Sequence, residues 1–153
     1  MSKVYHLKRT QILPCTLEQA WSYFSDPGNL ADITPAELAF KILSEPGLMY
    51  AGQVIEYKVH PVLGIPLYWM TEITHVEHHK YFVDEQRFGP YSLWHHQHHF
   101  KETPAGTEMT DIVHYKLPFW FLGDIAHALF VKKKVREIFD YRYKAVETGI
   151  GNW

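Results

Sequence analysis

Between Leu38 and Leu117 the apolar residues recur mostly with period two, and only short Pro- and Gly-bearing links interrupt them. Six segments fit a strand: Leu38–Ser44, Val54–His60, Leu67–Glu77, Tyr81–Arg87, Tyr91–Lys101 and Thr107–Leu117. The links are Pro46-Gly47, Pro61 with Gly64-Ile65-Pro66, Gly89-Pro90 and Pro104-Ala105-Gly106. Most are too short for a crossover, so successive strands must return as hairpins and the sheet must be antiparallel. Beyond Pro118 the period changes. Ala128, Val131, Val135, Ile138, Phe139, Arg142 and Val146 lie at helical spacing, which predicts one long helix over Gly123–Val146, ended by Gly149 and Gly151.

The N-terminal segment Val4–Leu13 reads as a further strand, ended by Pro14. Thr16 and Gln19 then form a capping box, and Leu17, Ala20, Trp21 and Phe24 mark a short amphipathic helix stopped by Asp26-Pro27-Gly28. Asn29–Thr34 adds a second helical piece before Pro35. The order is strand, helix pair, six strands, long helix. This is an α+β chain, a single domain over residues 1–153, in which a seven-stranded curved sheet wraps the final helix. A sheet curved around a helix encloses space unless large side chains fill it.

Composition removes several function classes. The net charge is −2, so no basic face for nucleic acid is expected. The run Lys132-Lys133-Lys134 with Arg136 reads as a solvated helix face, with an anionic surface as the alternative. One cysteine, Cys15, permits no internal disulfide and reads as structural, and a reduced, cytoplasmic setting is expected. The first ten residues are too polar for a signal peptide, and no apolar run is long enough to span a membrane.

The stretches Phe82-Val83-Asp84-Glu85-Gln86, Gly89-Pro90-Tyr91, Trp94-His95-His96-Gln97-His98-His99-Phe100, Gly106–Tyr115 and Leu117-Pro118 resemble bacterial ligand-binding proteins of the START-like superfamily. That superfamily is also called SRPBCC, or the Bet v 1-like helix-grip fold, and these members are often described as polyketide cyclase/dehydrase-like. The resemblance implies a cavity for a small hydrophobic molecule, and in some members cyclisation chemistry within it. The glycine-rich loop of the plant members is missing here, so nothing specific to those proteins carries over.

Strand alternation points to where such a cavity would be polar. Trp94, His96, His98 and Phe100 share a face, as do Met109, Asp111, Val113 and Tyr115. Pairing Thr103 with Gly106 sets Phe100 opposite Met109, His98 opposite Asp111, and His96 opposite Val113. Facing Arg87 with Leu93 sets Asp84 opposite His96 and Gln86 opposite Trp94. Two His–Asp pairs are expected, His98 with Asp111 and His96 with Asp84.

Three roles are open for this wall: a self-satisfied polar network, recognition of a ligand's polar group, and catalysis or metal binding. A His–Asp dyad is a competent general base. His-x-His with a carboxylate could hold a metal, but no ligand spacing supports it, so no metal and no cofactor are expected. The outward His75, His78, His79, His95 and His99 are read as incidental. The remaining lining candidates are Trp69 and Thr71, which share a face with Ile73, and Val135, Ile138, Phe139 and Arg142 on the helix. Ile55, Tyr57 and Val59 are assigned inward. Arg142 could meet an anionic group or reach the rim. Phe119, Trp120 and Phe121 would form a mouth or pack as core.

The functions that follow are binding of a small hydrophobic or amphipathic molecule, a cofactor-free cyclase or dehydratase, and a docking domain with a filled cavity. Self-association as a homodimer is left open.

Overall fold

The computed structural model describes residues 3–45, 47–61 and 64–149, so Pro46 of the first expected turn and Gly151 beyond the helix lie outside it. Seven strands form one antiparallel sheet in the order β1-β7-β6-β5-β4-β3-β2. They are β1 Tyr5–Leu13, β2 Lys41–Ile42, β3 Val54–Val59, β4 Leu67–Glu77, β5 Tyr81–Phe88, β6 Leu93–Thr103 and β7 Gly106–Lys116. Between β1 and β2 lie helix α1 (Leu17–Phe24) and two 3₁₀ segments, Pro27–Ile33 and Ala36–Leu38. The C-terminal helix runs as α2 (Trp120–Ala126), a π turn (His127–Val131) and α3 (Lys132–Gly149).

Local chemistry accounts for the boundaries. At α1 both bonds of the capping box form: Gln19 N–H donates to Thr16 Oγ1 at 3.2 Å, and Thr16 N–H to Gln19 Oε1 at 3.0 Å. The β6–β7 hairpin turns at Pro104-Ala105, which pairs Thr103 with Gly106 and carries the register down both strands to Leu93–Lys116. Register shifts between Met70 and Thr71 and between Ile73 and His75 interrupt the β4–β5 ladder, and such bulges bend a sheet.

Two expectations need correction. Residues 38–44 form only a two-residue strand, because Ala36–Leu38 is 3₁₀ and Ala39 takes a left-handed backbone (φ 42°) that breaks extension. The helix stripe also shifts at its N-terminal end. Ala128 is exposed and His127 is buried, since the π turn rotates α2 relative to α3.

The core lies on the concave side. Leu13, Trp21, Phe82, Phe100, Met109 and Val146 pack at one end, and Val113, Tyr115, Val135 and Phe139 pack in the middle. Ile55, Tyr57 and Ile73 line the far strands. Gly106 is fixed by a close approach as well as by its φ of 127°, for a Cβ there would stand 2.1 Å from Leu13 O. Gly106→Ala is therefore expected to lower the unfolding free energy by about 2 kcal/mol or more, read as a lower urea midpoint. An unchanged midpoint would contradict that approach.

Candidate functional site

The concave face of β5, β6 and β7 brings four ionisable side chains together. His96 and His98 are buried by alternation on β6, flanked by Asp84 on β5 and Asp111 on β7. The strand register is the expected one: His98 faces Asp111, and Asp84 faces His96. The hydrogen bonds, however, run diagonally. His96 Nε2 donates to Asp111 Oδ1 at 2.8 Å, and His98 Nε2 donates to Asp84 Oδ2 at 2.7 Å. Directly across, His98 Nδ1 stands 3.2 Å from Asp111 Oδ1, and His96 Nδ1 stands 3.7 Å from Asp84 Oδ2. The imidazoles are tilted by 33° to one another, with centroids 3.7 Å apart. In this close pair each imidazole reaches past its cross-strand neighbour, so the four groups form one ring rather than two separate dyads.

Burial and charge set the protonation. Burial pushes Asp111 up, but hydrogen bonds from His96 and His98 outweigh it and hold the carboxyl well below the usual carboxylate range. Asp84 follows the same logic. Burial raises it, and the His98 hydrogen bond with the charges of His96, His98 and Arg142 brings it down. Burial also disfavours charge on His98, yet the bonds to Asp111 and Asp84 raise its pKa. His96 is lowered by burial and by its neighbour His98. The two imidazoles are thus shifted in opposite directions, and His98 holds a proton more readily than His96.

This ring forms one wall of a cavity of about 380 Å³ enclosed by sheet, α1, the 3₁₀ segments and the final helix. Asp84, His96 and His98 face it, together with Trp69, Thr71, Trp94, Val135, Ile138, Phe139 and Arg142. Its other linings are mainly apolar, including Leu30, Ile33, Phe40, Ile55, Tyr57 and Tyr91. Trp69 Nε1 donates to Thr71 Oγ1 at 3.0 Å, which leaves the threonine hydroxyl proton to donate elsewhere. Arg142 lies over the Phe139 ring at 5.2 Å, and its buried Nε has no hydrogen-bond partner. One ligand atom each from Asp84, His96 and His98 lies within 4.8 Å of the others, so among the described residues these three could hold a metal ion.

Four expected lining residues are placed elsewhere. Asp111 lies behind the histidines and, with Met109, borders a small separate crevice beside Arg9 and Tyr143. Met109 belongs to the Trp21–Phe100 core. Tyr115 lies under the π turn, its hydroxyl 2.8 Å from His127 Nε2, with Tyr5 stacked on that imidazole at 3.3 Å. Gln86 closes the β5–β6 loop instead: its Nε2 donates to Tyr91 O at 2.6 Å, and its Oε1 accepts from Tyr91 N at 3.1 Å. The described β5–β6 pairing ends at Glu85–His95, so Gln86 has no Trp94 opposite it.

Residues that alternation and spacing did not single out include Phe40, Tyr91, Phe130 and Lys134 in the lining, and the buried His127. Only the Gly89-Pro90-Tyr91 stretch carried a signal, since a loop between two inner strands must cross the cavity edge. Cys15 is partly buried, and burial raises its thiol pKa, which does not suit a nucleophile.

Residues 13–139 match the family model for polyketide cyclase / dehydrase and lipid transport. The chain belongs to that family. It is a member of the SRPBCC superfamily with the helix-grip fold. Among solved structures, the family's fold recurs in the ZhuI aromatase/cyclase from Streptomyces sp. R1128 (TM-score 0.75, 17% identity, 97% of this chain and 94% of that one). Protein CV1439 from Chromobacterium violaceum gives a TM-score of 0.73 at 13% identity, over 95% of this chain and 96% of its own. Ara h 8.0201 gives 0.67 at 13% identity, over 97% of this chain and 98% of its own. No curated protein sequence matches. Among the described residues no helix is long and apolar enough to cross a membrane.

Asp111→Asn tests the ring. The depressed Asp111 carboxyl contributes stability above about pH 4 that is lost as pH falls toward its folded value. The raised His98 contributes below about pH 6.5, and that part is lost as pH rises through its folded pKa. The stability difference between wild type and Asp111→Asn should therefore peak between about pH 4 and 6.5 in urea titrations. The His98 pKa read by NMR should fall in the variant. A flat difference profile with an unmoved His98 would disprove the coupling.

Proposed function

We propose that the protein binds a small, mainly apolar, hydroxyl-bearing molecule in the cavity, with its polar group against Asp84. The carrying observation is the cavity, about 380 Å³ with a mainly apolar lining and one convergent polar wall. Ring charges support a neutral polar group. Two carboxylates stand against the His98 imidazolium and the Arg142 guanidinium, so a ligand charge of either sign would upset that balance. The contacts from His96 and His98 both use Asp84 Oδ2, which leaves Oδ1 as the oxygen suited to accept from a ligand hydroxyl. Aromatic rings nearby favour a flat ligand: Trp69, Tyr91 and Trp94 have centroids 4.8 to 5.6 Å apart.

A second reading rests on one atom. His96 Nδ1 is beyond hydrogen-bond reach of Asp84, while Asp111 holds the opposite nitrogen. A neutral imidazole so oriented is a general base for a cyclisation or dehydration, the class that the name of the aromatase/cyclase of similar fold suggests. Binding is preferred because His98, the other imidazole, bonds Asp84 through Nε2 and turns Nδ1 to Asp111 at 3.2 Å, so both its nitrogens face the carboxylates rather than a substrate.

Equilibrium dialysis with 1-naphthol and 1-methylnaphthalene separates recognition from mere apolar filling. Wild type should hold the naphthol more tightly, and Asp84→Asn should weaken it about tenfold while leaving the hydrocarbon unchanged. If wild type retains neither probe, and native mass spectrometry of the purified protein finds no organic mass, the binding reading fails. Recovery of a chemically altered ligand would move the assignment to the base.

A further inference from the structure

The C-terminal helix begins with an apolar surface that the fold leaves uncovered. Phe119 and Trp120 are 78% and 77% exposed, and Leu122, Ile125, Leu129 and Phe130 are each more than half exposed. These six side chains come from twelve consecutive residues. Exposed apolar area gathered in one place marks an interaction site. Phe119 and Trp120 also hold left-handed backbones, φ 67° and 46°. For bulky residues that conformation is unfavourable and persists only where surrounding structure imposes it.

Charge shows what the surface meets. From Phe119 to Arg136 the chain carries Lys132, Lys133, Lys134 and Arg136 against one carboxylate, Asp124. Asp124 is already engaged, accepting from the Tyr5 hydroxyl at 2.8 Å. All four cations are exposed. Lys133 and Lys134 share only Glu137, each at 3.7 Å, so the run keeps an excess of positive charge. Aromatic and aliphatic side chains followed within one turn by a basic cluster are the composition of an interfacial segment. We propose that this face docks on the surface of an anionic lipid bilayer, with Phe119, Trp120 and Leu129 entering the headgroup layer and the lysine run against the lipid phosphates. A second copy of the chain fits less well, because a two-fold contact would bring both lysine runs into one interface. The docking face adjoins the cavity, whose lining includes Phe130, Val131 and Lys134.

Vesicle pelleting tests this with the whole chain. Wild type should pellet with phosphatidylcholine–phosphatidylglycerol vesicles, lose binding as salt rises, and stay in solution with phosphatidylcholine alone. Trp120→Ser with Leu129→Ser should weaken binding about tenfold or more. Lys132→Gln with Lys133→Gln should weaken it about fivefold per charge. None of these four residues lines the cavity, so naphthol binding should persist and reports both folding and the independent ligand reading. The proposal is overturned if the mixed vesicles leave wild type in solution, or if the variants pellet as wild type does. It is equally overturned if sedimentation velocity finds a dimer that Trp120→Ser with Leu129→Ser dissolves, which would make the face a protein interface.

Discussion

Two carboxylates buried on the inner face of a sheet are the constraint that orders the rest. Left alone, each would carry a desolvation penalty of several kcal/mol and take up a proton. Asp84 and Asp111 stay ionised because two imidazoles stand between them, each bonded to one acid and within 4 Å of the other. The ring spans three adjacent strands, so it also acts on register. A slip of one residue would turn His96 and His98 to solvent and break the bonds they make to both acids. The two-residue turn at Pro104-Ala105 and the ring specify the same alignment, one through the backbone and one through charge.

Around that polar centre the fold is built to leave space. The bulges in β4–β5 bend the sheet, and the final helix closes the concavity with Val135, Phe139 and Val146 buried against it. Aromatic side chains line the gap without filling it, which is why a chain with 16% aromatic residues still encloses a void. Membership in the polyketide cyclase/dehydrase and lipid transport family accords with an enclosed site. What the site prefers is a matter for the side chains, since the fold itself serves many chemistries.

Much of this was legible in the sequence, for identifiable reasons. Period-two alternation and a short hairpin link are local signals, and together they placed His98 opposite Asp111 and Asp84 opposite His96. The diagonal bonding was not legible, because it depends on how two tilted, closely set imidazoles lean past their neighbours. Nor was the π turn. A helical stripe read at constant period put Ala128 inside, while the extra residue in that turn put His127 there, with Tyr5 and Tyr115 around it. Gln86 was misplaced for a similar reason: alternation turned it inward, but a glutamine beside Gly89 satisfies the loop backbone instead. Residues 38–44 looked extended by composition, and the left-handed Ala39 cannot be seen in composition.

The sheet is open, with β1 and β2 at its two ends and no pairing between them. In a closed barrel the interior volume is set by strand number and stagger, and enlarging it means breaking ladder hydrogen bonds. Here the enclosure is finished by a helix held through side-chain contacts, apolar packing together with bonds such as Gln11 to Tyr143 and Tyr115 to His127. A small sliding of that helix would change the volume while every strand pairing stays intact. The compliance of the site therefore resides in the side-chain contacts of the final helix, and its rigidity in the hydrogen-bonded wall. A series of occupants of different length could be accommodated at the helix side while the polar end of each met the same fixed geometry.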